Sequence, residues 1–305
     1  MSSASLDVAG LGWILADHLA TVAAYPARDT KVEILNYQRD TGGPIARALI
    51  ALARLGKKVA LIGNVVDDDS GVFLLDALKR ESVDMRTVKV GAGKITGFAY
   101  AFIEQDGGAR TTAHFHGDID ISISELDKRV VLDSRVLLWD GRGGTPAIVL
   151  AELAHLNHVL VVLSMGSVRP NIEKMLSQTD VVIVSQTFVN DFSPGMDFET
   201  AGRALIALGP KVVVITLGQE GAWCFSPDGH FKQPAFVVRC VDTNGAGDVF
   251  AGGMVYGLLE GWNLRRCVQT ASAVAAIKCT QLGNRGIPNW EELEQFLSEH
   301  IARNE

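Results

Sequence analysis

Short apolar runs between amphipathic segments are the feature that most restricts the fold of this 305-residue chain. The runs are rich in Val, Ile and Leu and have few polar interruptions; they are residues 59–63, 135–140, 159–163, 181–184 and 212–216. Runs of this kind are typical of strands that are buried on both faces of a parallel sheet. The sequence therefore predicts a central, mainly parallel sheet.

Segments with helical periodicity separate these runs. In residues 44–55 the apolar positions fall on one face, Pro44 lies in the first turn and Gly56 follows the last. Residues 70–80, 145–156 and 198–208 have the same pattern. Alternation of strands and helices with short connections predicts a doubly wound α/β fold flanked by helices. After residue 216 we expect strands at 222–226, 231–232 and 236–238 and helices at 247–260, 264–279 and 290–303.

Two segments alternate apolar with polar residues and interrupt this order. They are residues 31–41 and 96–115, and the second contains a turn signal at Asp106–Gly108. Alternation predicts antiparallel strands with one wet face, which we expect to form a small β-sheet lid over the carboxyl ends of the parallel strands. With no repeat or linker in the sequence, we interpret residues 1–305 as one domain with a lid.

Composition and charge restrict the function classes. Apolar residues make up 48% of the chain and the net charge is −7, which disfavours a nucleic-acid partner. No apolar run is long enough for a membrane span, and residues 1–10 do not resemble a signal peptide. The four cysteines, Cys224, Cys240, Cys267 and Cys279, never have CxxC spacing. We interpret them as reduced residues of a cytoplasmic protein.

The string DTNGAGDVFAG at residues 242–252 carries the chemistry. Its glycines allow a turn that opens directly into an apolar helix. The N–H groups of Gly245, Ala246 and Gly247 are expected to point outward at the helix N-terminus, where they would bind an anion such as phosphate. Asp248 lies beside them, in the first turn, and is placed to take a proton from an attacking hydroxyl.

This string resembles the C-terminal signature of the ribokinase-like, or PfkB-type, carbohydrate kinases. Other segments resemble the family along nearly the whole chain: residues 10–17 its first strand, residues 41–44 its Gly-Gly signature and residues 216–221 its nucleotide loop. The resemblance implies transfer of the ATP γ-phosphate to a sugar hydroxyl. It assigns Asp248 as the general base and Gly245, Ala246 and Gly247 as the anion hole. It places the sugar substrate at Asp17, Gly42 and Gly43. The residues that it places at the nucleotide are Thr216, Gly218, Gly221, Gly247, Ser185 and Ser272.

Charged residues stand where ribokinases have neutral or acidic ones. Arg47 replaces the Asn of the Gly-Gly signature, and Arg142 replaces a Glu near the sugar. Arginines suit a bidentate anion better than a neutral sugar. Lys31 on the first lid strand and His114 on the second, with His116, are expected to add donors. We therefore expect a sugar that carries a phosphate, sulfonate or carboxylate; residues 233–236 and 275–288 also resemble sulfofructose kinases.

The resemblance also implies metal ions. In the family an Asn-x-x-Glu motif helps to organise Mg²⁺, but the matching segment here begins at Ser185 and ends at Phe188. We expect Mg²⁺ to be held mainly by the nucleotide phosphates and water. A monovalent cation, K⁺, is expected at the positions that match the family's carbonyl ligands: Asp242, Asn244, Lys278, Gln281 and Gly283.

Other functions stay open at this point. They are a kinase of a neutral sugar, a nucleoside or a phosphosugar, and a sensor of nucleotide or sugar with weak catalysis. A Rossmann dehydrogenase is disfavoured, because Gly10 and Gly12 lack the third glycine and the later acid. Exposed edge strands of the lid present unpaired backbone N–H and C=O groups that can pair with another chain. We therefore expect a homodimer formed through the lid.

Overall fold

The structure is a computed structural model that describes residues 5–118 and 120–301. Its strands are β1 Leu6–Leu11, β2 Leu15–Val22, β3 Asn36–Gly42, β4 Val59–Val66, β5 Val88–Gly91, β6 Phe98–Glu104, β7 Arg110–Phe115, β8 Ser134–Trp139, β9 Leu160–Met165, β10 Val181–Ser185, β11 Val212–Thr216, β12 Ala222–Ser226 and β13 Gly229–Gln233. Its helices are α1 Pro44–Arg54, α2 Asp69–Arg80, α3 Glu125–Leu132, α4 Gly144–Leu156, α5 Ile172–Leu176, α6 Gln186–Phe192, α7 Phe198–Ala207, α8 Ala246–Leu259, α9 Leu264–Lys278 and α10 Trp290–Ile301.

Nine strands form the central sheet, in the order β13-β12-β11-β10-β9-β8-β1-β4-β5. Seven neighbouring strands of this sheet run parallel to one another: β11, β10, β9, β8, β1, β4 and β5. The last two strands, β12 and β13, extend the sheet at one edge with antiparallel pairing. The predicted mainly parallel, doubly wound sheet is confirmed. Because parallel neighbours end at the same edge, the residues that follow β8, β9, β10 and β11 meet there.

Side chains on each strand alternate between two hydrophobic cores, one on each face of the sheet. Val8 and Leu61 pack on one face with residues of α1, α8 and α9, among them Leu49 and Met254. The neighbouring Ala9 and Ile62 pack on the other face, against helices that include α4 and α7. Burial on both faces explains why the strands read as continuous apolar runs. None of the described helices combines the length and hydropathy needed to span a bilayer.

A second sheet of four strands, in the order β3-β2-β6-β7, forms the predicted lid. The β6–β7 hairpin lies within residues 96–115, as expected, and its strands are antiparallel. In the other segment only Asn36–Gly42 is a strand, so the predicted start at residue 31 is wrong. The lid is also not wholly antiparallel, because β2 pairs with β6 in parallel.

The first predicted strand is two strands in the structure. β1 ends at Leu11, and the chain turns through Gly12 and Trp13 before β2 begins in the lid at Leu15. Asp17 therefore lies in the lid sheet and not at the end of the first strand. The lid registers place it opposite Ala99, which in turn lies opposite His114, so all three share one face. This face is turned toward the central sheet.

Candidate active site

A cleft of about 480 Å³ lies between the lid and the carboxyl ends of the parallel strands. The central sheet contributes Asp140, Ser164, Ser185 and Thr216, each at or just after the end of its strand. The lid contributes several residues from its inner face, namely Leu15, Asp17, Ala99, Arg110, Thr112 and His114. This is the edge at which open α/β sheets bind their ligands.

Arg47 joins two carboxylates on the floor of the cleft. Its guanidinium donates to Asp17 Oδ2 through Nη2 and to Asp248 Oδ2 through Nη1, the latter over 3.1 Å. The Asn244 amide also donates to Asp17 Oδ2, over 3.1 Å. Burial raises the pKa of Asp17, while the Arg47 charge and the Asn244 hydrogen bond act in the opposite direction. The arginine thus brings together residues from the lid and α8 that are 231 positions apart in the chain (248 − 17).

Backbone geometry at residues 42 and 43 permits this arrangement. A Cβ on Gly42 would overlap the carboxylate of Asp17, and one on Gly43 would overlap the carbonyl oxygen of Trp13. Gly43 also has φ +99°, in the left-handed region, and it precedes Pro44 at the start of α1. Gly42 and Gly43 therefore set the approach of α1, and with it Arg47, to the lid strand that carries Asp17.

The turn of the 242–252 string lies at the N-terminus of α8 and lines part of the cleft. Gly245 has φ +78° and is the N-cap of α8. Gly245, Gly247 and Asp248 line the cleft. The Ala246 N–H instead donates to the Thr243 carbonyl over 3.2 Å, because a tight turn closes ahead of the helix. In this structure the N–H of Ala246 is therefore turned back into the loop, and its role as an anion-hole donor stays a prediction.

Arg142 also lines the cleft and lies on the indole of Trp13. Its guanidinium carbon is 2.9 Å from the ring centroid, a cation–π contact. Nε is 3.6 Å from Asp140 Oδ2, yet it is buried and has no hydrogen-bond partner within residues 5–118 and 120–301. Burial lowers the pKa of Arg142 to about 10, against the opposing charge of Asp140. The side chain therefore keeps its positive charge at neutral pH and has a donor to offer.

Asp140 and Arg169 lie beside Arg142. Asp140 is fully buried, and burial raises its pKa although Arg142 and Arg169 oppose the rise. It accepts hydrogen bonds from the backbone N–H groups of Trp13 and Arg142, over 3.3 and 3.1 Å. Arg169 Nε donates to the Asp140 carbonyl over 3.2 Å, and the residue lines the cleft. Asp140 therefore fixes the backbone that carries both Arg142 and its indole platform.

Two histidines face Arg142 from the lid. His116 stacks against Trp13 with ring centroids 3.9 Å apart, and His114 lies 4.7 Å from His116. Burial, together with His114 and the two arginines, lowers the pKa of His116 below its ordinary value. Of the two, His114 lines the cleft. His116 lies just after β7, and the prediction that the two histidines add donors to the substrate site stays a prediction.

The expected nucleotide residues separate into two groups. Ser185 and Thr216 line the cleft at the ends of β10 and β11, where the Ser185 hydroxyl also accepts the N–H of Phe188 to cap α6. Gly218 and Gly221 lie in the loop after β11, outside the described lining of the cleft, as does Ser272 on α9. The nucleotide role of these three residues stays a prediction.

The segment expected to help with Mg²⁺ carries no metal ligand at its last position. Phe188 is fully buried in the core beneath the cleft. Among the described residues, no group of three or more His, Cys, Asp or Glu side chains could hold a metal ion.

The residues expected to hold K⁺ do not fit that ion. The ammonium of Lys278, at the end of α9, donates to the carbonyl oxygen of Asp242 over 3.0 Å and to its Oδ2 over 2.8 Å. Both side chains are completely buried. Lys278 was expected to contribute a carbonyl oxygen, but its side chain instead places a positive charge on the oxygens that a cation would need. Gln281 is exposed at this point of the chain.

Lys31 lies away from the cleft. It is exposed, precedes β3 and is not among the residues that line the cleft. The expectation that it lies on a lid strand is wrong, because that strand begins only at Asn36, and its contribution of charge to the substrate site stays a prediction. The lid tip makes a different contact: the Gly108 carbonyl accepts hydrogen bonds from the N–H and the hydroxyl of Thr243, over 3.3 and 3.0 Å.

Residues of this site that sequence reasoning missed include Asp140, Trp13, Arg110 and Arg169. Arg169 follows β9 by four positions and Trp13 follows β1 by two, so both occupy loops at the carboxyl edge of the sheet. A search of the loops after every predicted parallel strand would have found Arg169. Arg110 begins β7, and its guanidinium donates to the Thr243 carbonyl over 3.3 Å.

Comparisons with known proteins agree with this geometry. The family model for pfkB family carbohydrate kinases matches residues 7–292. A 5-dehydro-2-deoxygluconokinase of Clostridium perfringens is 25% identical, over 95% of this chain and 92% of its own, and an ATP-dependent ribose-1-phosphate kinase of Halopiger xanaduensis is 26% identical, over 96% and 99%. The structure of Arabidopsis thaliana ribokinase complexed with ribose and ATP superposes with a TM-score of 0.83, at 21% identity, over 96% of this chain and 98% of that one. The chain belongs to the PfkB family of carbohydrate kinases.

Proposed function

We propose that the protein is an ATP-dependent kinase that phosphorylates a hydroxyl of a sugar carrying an anionic group. The observation that carries this proposal is that one cleft is lined both by Asp248, with the backbone of Gly245 and Gly247, and by the two arginines Arg142 and Arg169. A sugar between them would present a hydroxyl to the carboxylate and its anionic group to the arginines.

Asp248 is the proposed general base. It stands in the first turn of α8, it lines the cleft, and its side chain is 22% exposed, so a hydroxyl can reach it. Arg47 Nη1 donates to its Oδ2 over 3.1 Å, which fixes the orientation of the carboxylate in the cleft. Asp248 would take the hydroxyl proton as that oxygen attacks the γ-phosphorus, and ADP would leave in line.

Asp17 is the proposed anchor for the sugar. It is 4% exposed, and Arg47 and Asn244 hold its carboxylate in one orientation toward the cleft. A carboxylate can accept two hydroxyl hydrogen bonds at once, which would fix the orientation of the ring. The role of Arg47 in this proposal is to position the two carboxylates, because its charge is committed to them and not to the substrate's anionic group.

The N–H groups at the start of α8 are the proposed site for the transferred phosphoryl group. Gly247 presents bare backbone to the cleft, and a Cβ there would meet no other atom within 4 Å. The helix dipole adds partial positive charge at this point. Thr216 and Ser185 would lie along the nucleotide. Mg²⁺ would enter on the nucleotide phosphates, and no step is assigned here to a metal ligand of the chain.

The substrate's anionic group is proposed to bind Arg142 and Arg169. Arg142 has a buried Nε that no residue of the described chain satisfies, and a stacked guanidinium retains its in-plane donors for a carboxylate, phosphate or sulfonate. Names of relatives give support of the same kind: one is a kinase of a gluconate derivative and the other a kinase of ribose 1-phosphate. Both of those substrates carry an anionic group beside hydroxyls.

An ADP-release screen tests this proposal. The wild type would be offered sugar acids, sugar phosphates and sugar sulfonates beside ribose, fructose and adenosine. We expect turnover of an anionic sugar, and in Arg142→Ala an increase in its KM of about 10-fold to 100-fold, the value of a hydrogen bond to a charged group. Arg203→Ala is the matched control, because Arg203 lies on the exposed side of α7. The anionic-sugar assignment would be overturned if ribose, fructose or adenosine were the preferred substrate and Arg142→Ala left its KM unchanged.

We also propose a cytoplasmic homodimer formed through the lid. The outer face of the lid is aromatic: Tyr100 is 48% exposed and lies beside Phe98, Phe115 and His18. An exposed aromatic face between two open edge strands supports association with a second copy. Light scattering at micromolar concentration should report a dimer that Tyr100→Lys dissociates, and a monomeric wild type would contradict this. The four free thiols support a reducing compartment.

A further inference from the structure

Lys278 is a fully buried cation that no step of the proposed reaction uses. It is the last residue of α9, and its ammonium contacts the carbonyl oxygen and Oδ2 of Asp242 over 3.0 and 2.8 Å. A buried lysine pays a large desolvation penalty unless an opposite charge and hydrogen bonds compensate it. Asp242 supplies both, so Lys278 and Asp242 form a buried ion pair in the protein interior.

Asp242 connects this cation to the phosphate-binding turn. Its Oδ1 accepts the N–H of Asn244 over 2.7 Å, and its Oδ2 accepts the N–H of Gly283 over 2.8 Å. Asn244 precedes Gly245 directly and donates its side chain to Asp17. The charge of Lys278 therefore neutralises a carboxylate whose other hydrogen bonds fix the segment that leads into α8.

The same network extends to the lid. Beside Gly283, the Asn284 side-chain amide donates to Asp40 Oδ1 and to the Thr41 carbonyl, over 2.9 and 2.7 Å. Thr41 lies just before the Gly42–Gly43 pair on β3. Without a positive charge at Lys278 Nζ, the Asp242 carboxylate would be buried without a counter-charge between the turn and this loop. A small cation bound to the two Asp242 oxygens could supply such a charge, but it cannot share the place with the ammonium.

We infer that Lys278 is a tethered cation that replaces a bound monovalent ion and positions the phosphate-binding turn, so that catalysis by this chain needs no K⁺. The inference rests on the proposed kinase function for its kinetic readout only. Lys278 is a positioning residue: it touches neither of the proposed substrates and acts through Asp242 and Asn244. Its removal should lower kcat, while the KM for the sugar should change little.

Two substitutions of Lys278 separate charge from volume. Lys278→Ala leaves room for an ion, whereas Lys278→Met fills the same space with an uncharged chain. In choline chloride we expect kcat of both variants to fall by about 10-fold to 100-fold, the scale of a small misplacement of reacting groups. K⁺ or NH₄⁺ should restore much of the activity of Lys278→Ala and none of that of Lys278→Met. Lys211→Ala, at an exposed position, is the control.

Thermal unfolding provides a readout that needs no substrate. The Tm of Lys278→Ala should rise with KCl concentration relative to choline chloride, as for any ligand that binds only the folded state, while the wild type should show equal Tm in the two salts. If neither variant folds, the wild type alone still decides: activation by K⁺ over choline would overturn the inference. Full activity of Lys278→Ala in choline would overturn it as well. If the wild type has no detectable kinase activity in either salt, the proposed function is contradicted, but the thermal unfolding test of the inference remains valid.

Discussion

Nη1 of Arg47 lies 3.1 Å from Oδ2 of Asp248, so an arginine of α1 holds the carboxylate that is proposed to accept the substrate's proton. The same guanidinium donates to Asp17 on the lid. One side chain therefore sets the distance between the base and the sugar anchor.

Replacing Asp248 should abolish proton transfer without emptying the site of substrate. In Asp248→Asn we expect kcat to fall by about 10²-fold to 10⁴-fold, the usual contribution of a positioned base. The amide has the shape of the carboxylate and keeps a weaker hydrogen bond to Arg47. The dissociation constant of the sugar, measured by calorimetry, should therefore stay within about tenfold of the wild-type value. A variant with wild-type kcat would show that another group takes the proton, and binding without any turnover in the wild type would favour a sensor.

Removing Arg47 should destabilise the fold more than removing an exposed arginine. Arg47→Ala leaves two carboxylates near each other with no counter-charge, a change that typically costs about 3–5 kcal/mol in the free energy of unfolding. Arg203→Ala breaks an exposed pair with Glu199 and should cost about 0.5 kcal/mol or less. Urea unfolding of the two variants measures the difference. Equal effects would mean that water in the cleft already compensates the two carboxylates.

Alanine at Gly245 and at Gly247 should separate stability from activity. Gly245 has φ +78°, and a Cβ there would lie 2.6 Å from Cδ of Arg47, so Gly245→Ala should lose about 1–3 kcal/mol of stability. Gly247 lies in the first turn of α8 with no atom near its added Cβ, so Gly247→Ala should be neutral or gain up to about 1 kcal/mol. Its methyl would nevertheless stand where phosphate must approach the backbone. A stable but slow Gly247→Ala enzyme is therefore expected, and undiminished kcat would argue against phosphate at this turn.

Trp13 should matter for the affinity of the anionic sugar and not for the chemical step. Trp13→Leu removes the ring beneath Arg142, a contact worth about 1 kcal/mol, so KM should rise about fivefold while kcat changes little. Trp262→Leu is a matched control, because Arg266 lies 3.7 Å over that ring, far from the residues that line the cleft. A fall in kcat without a change in KM would assign Trp13 to the lid's position and not to Arg142.

The buried thiols should resist alkylation in the folded protein. Burial raises the pKa of Cys224 and Cys279 to about 12 and that of Cys267 to about 11. At pH 8 these thiols stay protonated and unreactive, whereas in urea their pKa returns to the ordinary value and iodoacetamide should label them. The folded state binds the extra protons between about pH 9 and 12, so stability should fall as the pH rises through that range. Labelling of Cys267 in native buffer, located by mass spectrometry, would show that α9 opens.

Sequence patterns predicted the parts of the fold that depend on local periodicity. The runs at residues 181–184 and 212–216 became β10 and β11 with almost unchanged bounds, because burial on both faces leaves no polar position to confuse the pattern. Residues 236–238 did not become a strand, although they are apolar, because no neighbouring strand pairs with them beyond Gln233. Strand identity at a sheet edge depends on a partner, which the local sequence does not contain.

The site was predictable where one short motif carries it and not where distant segments meet. The turn at residues 242–248 encodes its own conformation in Gly245, so Asp248 could be assigned from the sequence. The pairing of Arg47 with Asp17 and Asp248 joins three segments, and helical periodicity alone left that arginine facing either solvent or the cleft. Lys278 was equally hidden, because a lysine in the last turn of a helix ordinarily faces water.

The contact between Gly108 and Thr243 gives the lid a mechanical consequence. The carbonyl at the tip of the β6–β7 hairpin accepts two hydrogen bonds from the residue that precedes Asn244. The hairpin cannot lift from the cleft without breaking these two bonds and the one that Arg110 donates to the Thr243 carbonyl over 3.3 Å. In the proposed reaction, opening of the hairpin for product release would therefore also free the residue that leads into the phosphate-binding turn.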